Sequence, residues 1–197
     1  MSTFVLATAN PDKAAEIVDI LGGTVDLRLR PADVAEVDET GATLEDNARL
    51  KARALVEATG LAAVADDTGL EVDGLGGAPG VRSARFAGEG ATYADNVAKL
   101  LESLDGAPGP ARRARFRTVA LAAWPDGREV AVDGQVEGTI AESPRGRGGF
   151  GYDSVFVPDE GDGRTFAELV DESPSAKHRL SHRGRAFTAL AARLSST

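Results

Sequence analysis

The sequence predicts an α/β fold, and three observations carry that expectation. A short apolar, β-prone run from Phe4 to Thr8 feeds directly into a helical stripe. Helix-period and strand-like segments then alternate along the chain. Two β-prone runs over about residues 112–137 flank a turn composition and read as a long antiparallel hairpin.

The first strand stops at Asn10-Pro11, where Asn suits a helix N-cap and Pro the first helical position; Ala14, Ile17, Val18 and Leu21 then recur at helical spacing until Gly22-Gly23. Thr24 to Arg30 alternates as a second strand. Thr43 precedes a longer helix with Leu44, Ala48, Ala52, Leu55 and Ala58 on one stripe, ended by Gly60. Leu61 to Ala65 is a buried strand, followed by a Gly-rich passage from Asp66 to Gly80. Thr92 opens a helix with Tyr93, Val97, Leu100, Leu101 and Leu104 inward, broken over 105–110. Ala114 to Trp124 and Glu129 to Val136 flank Pro125-Asp126-Gly127-Arg128, a hairpin assigned to a second lobe. Ser154 to Val157 is a further strand, and Ala186, Phe187, Leu190 and Leu194 mark a terminal helix from His182. No internal repeat and no separating linker is visible, so residues 1–197 read as one domain of two lobes.

Composition excludes several classes. With 22 Lys+Arg against 31 Asp+Glu the net charge is −9, which argues against binding a nucleic-acid polymer through its backbone; 5% aromatics leaves no stacking platform. The absence of Cys removes disulfides and thiolate chemistry, so a metal must be held by oxygen or by the two His. The start, Met1 to Thr8, has no basic residue and too short an apolar run for a secretory core, and no stretch approaches the roughly 18 apolar residues of a membrane span. A cytoplasmic protein without membrane contact is expected.

The chemistry-bearing residues cluster. Six acids and no base lie between Asp33 and Asp46, and four acids and no base between Asp66 and Asp73; Lys177 to Arg185 carries four Lys/Arg and both His with no acid. Thr8-Ala9-Asn10-Pro11-Asp12-Lys13 combines a strand end, a helix N-terminus and a mobile cation, which suits a phosphate, although the Walker glycines are missing and plain capping by Asn10 explains the same residues. Asp66-Asp67-Thr68-Gly69 reads as a strand end that places carboxylates at a sheet rim on opposite faces; Glu39 is a natural partner, and an oxygen-only donor set suits Mg²⁺. The alternative is a turn with solvated acids. Gly146 to Asp153 offers close backbone approach and two aromatics for a flat base, or a loop whose Phe150 and Tyr152 enter the core. His178 and His182, four apart, lack the Glu of a zinc-protease pattern, whereas Ser181-His182-Arg183 reads as a cap followed by hydrogen-bond donors, or as a capped surface helix.

Taken in order, these segments resemble the inosine triphosphate pyrophosphatase family, the non-canonical purine nucleoside triphosphate pyrophosphatases. The resemblance spans essentially the whole chain. Its markers are Leu6-Ala7-Thr8-Ala9-Asn10 with Lys13, Glu39-Thr40-Gly41, Asn47-Ala48 with Lys51-Ala52, Ala65-Asp66-Asp67-Thr68-Gly69-Leu70, Gly76-Gly77-Ala78-Pro79-Gly80 with Ser83-Ala84-Arg85, Phe150-Gly151-Tyr152-Asp153, and Lys177 with Ser181-His182-Arg183-Gly184. It implies a mixed, strongly twisted sheet flanked by helices, two lobes with a cleft between them, and a homodimer. By motif, Thr8, Ala9, Asn10, Pro11, Asp12, Lys13 and Lys51 hold the triphosphate; Glu39 and Asp67 bind Mg²⁺, with Asp67 also the proton acceptor; Thr68, Phe150, Gly151, Tyr152, Asp153, Lys177, His182 and Arg183 surround the nucleotide. Thr68 stands where Ser is commoner and Ala9 where Gly is commoner.

The implied reaction is Mg²⁺-assisted attack of water on the α-phosphorus of ITP/dITP or XTP/dXTP, giving monophosphate and pyrophosphate and clearing aberrant purines from the nucleotide pool. As donors, His182 and Arg183 suit a 6-oxo purine and mismatch adenine's amino group. Two alternatives stand beside this: a pyrimidine (dTTP/UTP-type) pyrophosphatase and a non-catalytic nucleotide-binding module.

Overall fold

The computed structural model describes residues 3–195; Met1 and Ser2, part of the amino-terminal reading above, lie outside them. Its elements are β1 (Thr3–Leu6), α1 (Pro11–Leu21), β2 (Asp26–Arg28), α2 (Leu44–Thr59), β3 (Ala62–Val72), β4 (Pro79–Gly80), α3 (Tyr93–Ser103), β5 (Arg113–Ala123), β6 (Glu129–Ile140), β7 (Phe156–Pro158), α4 (Phe166–Glu172), α5 (Pro174–Leu180) and α6 (His182–Leu194). The strands form one mixed sheet in the order β2-β1-β3-β5-β6-β7, with β4 on β3. β1 runs parallel to β2 and β3, while β4 is antiparallel to β3 and β7 to β6. The fold is α/β.

Local chemistry explains the helix ends. Asn10 caps α1 by accepting from the amides of Asp12 and Lys13, with Pro11 at the first position. Thr43 caps α2, and Gly60 ends it with φ +67°, a left-handed conformation that returns its N–H to the Val56 carbonyl. Thr92 and Thr165 open α3 and α4 with complete capping boxes.

The chain divides into two compact units. The first comprises residues 1–67, 118–134 and 183–197. Its core joins Phe4 and Leu6 of β1, Ile17 and Leu21 of α1, Ala62 and Val64 of β3, and Ala186, Phe187 and Leu190 of α6. The second comprises residues 68–117 and 135–182, with a core of Leu70, Val97, Leu100, Phe116, Ile140, Tyr152, Phe156, Phe166 and Leu169. The β5–β6 hairpin is shared: residues 118–134 at its tip belong to the first unit and its base to the second.

Several expectations are corrected. β3 does not stop at Ala65 but continues to Val72, so Asp66 and Asp67 are buried in mid-strand and not at a strand end; cations and an amide from distant segments compensate their charge. β2 keeps only three of the seven residues expected, and the strand expected from Ser154 starts at Phe156. On α2 the buried stripe is Leu44, Asn47, Ala48, Ala52 and Leu55, while Ala58 is exposed in the last turn. Tyr93, expected on the inner face of its helix, is 42% exposed, and Val18, part of the apolar repeat of α1, is 41% exposed. α4 and α5, seven residues each, were not foreseen, because two turns repeat an apolar stripe too few times to register. His178 and His182 lie on different helices, separated by the extended Ser181, and share no helical face.

Candidate active site

Within the first unit, two ionic clusters form around the buried consecutive aspartates. Asp67 meets α2: Lys51 Nζ donates to Asp67 Oδ1 at 3.0 Å and to Glu39 Oε1 at 2.7 Å, and Asn47 Nδ2 donates to Asp67 Oδ2 at 3.1 Å. Asp66 meets α1 and α6: Lys13 Nζ lies 3.3 Å and Arg183 Nη2 3.4 Å from its Oδ2, and Arg183 Nη1 donates to Glu16 at 2.6 Å. Strand alternation sends the two carboxylates to different partners.

The surroundings drive the pair apart electrostatically. Burial opposes ionisation of Asp66, but Lys13 and Arg183 outweigh it and hold this carboxyl well below the usual carboxylate range. Burial raises Asp67 above its ordinary value against the pull of Lys51 and Lys13. Burial lowers the Lys13 ammonium, with Asp66 resisting. It also works against Lys51, where Asp67, Asp66 and Glu39 prevail and leave the ammonium raised. The two neighbouring carboxyls are thus shifted in opposite directions, Asp66 towards the ionised form and Asp67 towards the protonated one.

Around Asn10 the backbone amides serve the cap: Asn10 N–H donates to Thr8 Oγ1 at 3.1 Å, and Asp12 and Lys13 donate to Asn10 Oδ1 at 2.9 and 3.2 Å. The positive charge at this helix start is carried by Lys13. Ala9 is exposed, and no non-glycine residue among those described has positive φ, so its Cβ brings no backbone strain.

Within the second unit, Asp153 Oδ2 accepts from the Phe150 amide at 2.9 Å and from Lys177 Nζ at 2.6 Å, and that ammonium lies 4.8 Å from the Phe150 ring centroid. Tyr93 of α3 meets Phe150 with ring centroids 5.8 Å apart. Tyr93, Phe150 and Asp153 line a cavity of about 530 Å³ with Val97, Leu101 and Arg147, within the usual size of a small-molecule pocket, while the Lys177 side chain is buried behind Asp153. Tyr152 enters the core, its hydroxyl donating to the Ser83 carbonyl at 2.8 Å. His182 is buried and stacked on Phe116 at 4.4 Å. Thr68 follows the carboxylate pair on β3, half-buried.

The sequence motifs assign no site role to Asn47, Glu16 or Tyr93. Asn47 was legible as a polar residue one helical turn before Lys51 on an otherwise apolar stripe; Glu16 and Tyr93 carried no comparable signal.

A mixed α/β sheet whose central strand presents paired carboxylates to lysines carries the donor types that hold a hard divalent cation against phosphate oxygens. The chain belongs to the Ham1 family, whose pattern it matches over residues 4–193. It is 48% identical to the dITP/XTP pyrophosphatase of Nitratidesulfovibrio vulgaris, covering 96% of this chain and 94% of that protein. It is also 48% identical to the dITP/XTP pyrophosphatase of Streptomyces avermitilis, covering 96% of each. Among solved structures, a HAM1 protein from Coxiella burnetii superposes with a TM-score of 0.88 at 39% identity over all of both chains.

Proposed function

We propose that this protein hydrolyses non-canonical purine nucleoside triphosphates, ITP/dITP and XTP/dXTP, to the monophosphate and pyrophosphate. The observation that carries the reading is the meeting of Glu39 and Asp67 on one lysine, next to the Asp66–Lys13 pair at the start of α1. The named activity of the relatives agrees with it.

The residues fit a hard divalent cation: two carboxylates from separate segments reach one ammonium, and the chain has no Cys to favour a softer metal. Glu39 and Asp67 are the proposed holders of Mg²⁺, which when bound neutralises phosphate charge and assists the attack of water on the α-phosphorus. Asp67 takes the proton of that water. Lys13 and Lys51 stabilise the departing pyrophosphate, with the segment Thr8 to Asp12 shaping the helix start on which the triphosphate rests. Phe150, Gly151, Asp153, Lys177 and Thr68 bind the nucleoside, Phe150 by its ring face and Asp153 held in place by Lys177, while Tyr152, packed in the core with its hydroxyl on the Ser83 carbonyl, supports this segment from behind and does not touch the nucleoside. His182 and Arg183 donate to the 6-oxo group; the grip of Glu16 and Asp66 on Arg183 orients its guanidinium in advance. A homodimer in the cytoplasm is the proposed setting; no described helix is long and apolar enough to cross a membrane.

The test is product analysis with ITP, XTP, dTTP, UTP and ATP, with and without Mg²⁺. Pyrophosphate from ITP and XTP, dependent on Mg²⁺, is expected. Release of inorganic phosphate overturns the reaction, and preference for dTTP or UTP overturns the base assignment.

A further inference from the structure

We propose that Asn47 is a positioning residue that locks the Asp67 carboxylate and the Glu39-Thr40-Gly41 loop into a single geometry. The inference rests on the reading of Asp67 as proton acceptor given above. Asn47 is 0% exposed. Its Oδ1 accepts from the Gly41 amide at 2.7 Å, and its Nδ2 donates to Asp67 Oδ2 at 3.1 Å.

The amide has one permitted orientation. The Gly41 N–H can only donate, so the oxygen of Asn47 must face it, which turns the NH₂ to the carboxylate; the flipped amide would set oxygen against oxygen and nitrogen against N–H. Lys51, one turn further along α2, repeats the same connection, reaching Asp67 through the other oxygen and Glu39 on the same loop. The carboxylate is therefore held at both oxygens by one helix, and the loop is held at both of its ends by the same two side chains. A neutral amide on Oδ2 fixes orientation without adding a further positive charge beside the proton acceptor.

Gly41 supplies independent support. A Cβ at this position would lie 2.6 Å from Asn47 Oδ1 and 2.9 Å from the Asn47 amide nitrogen, closer than real Cβ contacts allow. The loop comes this near to α2 only because residue 41 has no side chain. Gly41→Ala must push the loop off the Asn47 amide without removing any polar side chain of the cluster.

The experiment measures kcat and KM for ITP at saturating Mg²⁺ for Asn47→Ala, Asn47→Asp, Gly41→Ala, the double variant Asn47→Ala/Gly41→Ala and Asp67→Asn, with thermal unfolding and near-UV circular dichroism of each. Asn47→Ala is expected to lower kcat by about 10–100-fold with KM within about threefold of the parent, since the triphosphate contacts are untouched. Asn47→Asp keeps the acceptor for Gly41 and loses the donor, and is expected to be at least as slow. If either Asn47 variant does not fold, Gly41→Ala carries the test alone, with the same selective fall in kcat. The double variant should be no slower than Asn47→Ala, because both changes break one connection. Parent-like kcat in the folded Asn47 and Gly41 variants, a rise in KM that matches the fall in kcat, or losses that multiply in the double variant overturn the proposal. Asp67→Asn separates the two readings: if it turns over normally, the role of Asp67 fails; if it is inactive while the Asn47 and Gly41 variants match the parent, only the positioning role fails.

Discussion

Arg183→Met tests the electrostatic frame under Asp66 most directly. The substitution keeps an unbranched apolar stem of similar reach and removes the guanidinium, which is 2% exposed and ion-paired to Glu16 at 2.6 Å and to Asp66 at 3.4 Å. Breaking a buried pair by deleting one partner costs about 3–5 kcal/mol, because the surviving carboxylates keep their desolvation without that compensation. For a chain of this size that corresponds to a drop in Tm of roughly 6–20 °C, at about 2–4 °C per kcal/mol. The pH dependence has a defined sign. Asp66 is held below its unfolded value in the parent, so its stabilisation is fully present above the ordinary carboxylate range and is lost as pH falls through that range towards the folded value. In the variant Asp66 is held down less, so less stability is lost on acidification. The gap between parent and variant, measured by urea denaturation at several pH values, should therefore narrow by roughly 1 kcal/mol between pH 6 and pH 3. A gap that stays constant with pH, or a variant as stable as the parent at pH 7, refutes the reasoning.

Three further outcomes follow from other parts of the molecule. Lys177→Met removes the ammonium that holds Asp153 at 2.6 Å and lies over the Phe150 ring; KM for ITP should rise about tenfold or more, read by steady-state kinetics, with a smaller change in kcat. Gly60→Ala forces a Cβ into the left-handed turn that ends α2 and should lower stability by about 1 kcal/mol in urea denaturation without changing kcat. Leu55→Ala empties a site in the buried stripe of α2 and should cost about 2–5 kcal/mol, measured as a shifted denaturation midpoint at unchanged slope.

Features that neighbours along the chain can satisfy are legible in the amino-acid order alone. Asn10, Thr43 and Thr92 supply caps within three residues of the amides they bind, Gly60 ends α2 where a left-handed residue is required, and the turn Pro125 to Arg128 joins β5 to β6. The residue types of a polyphosphate site were equally visible as acids and lysines at characteristic spacings. Tertiary structure alone decided that β3 runs on through Asp66 and Asp67. A strand can carry two buried carboxylates only when compensating groups reach them, and these come from far away: Asn47 and Lys51 lie 20 and 16 residues from Asp67, and Arg183 lies 117 from Asp66. The same physics moved Asn47 from a marker in a motif to a buried amide with one orientation. Its role depends on a loop and a strand that its own helix cannot specify.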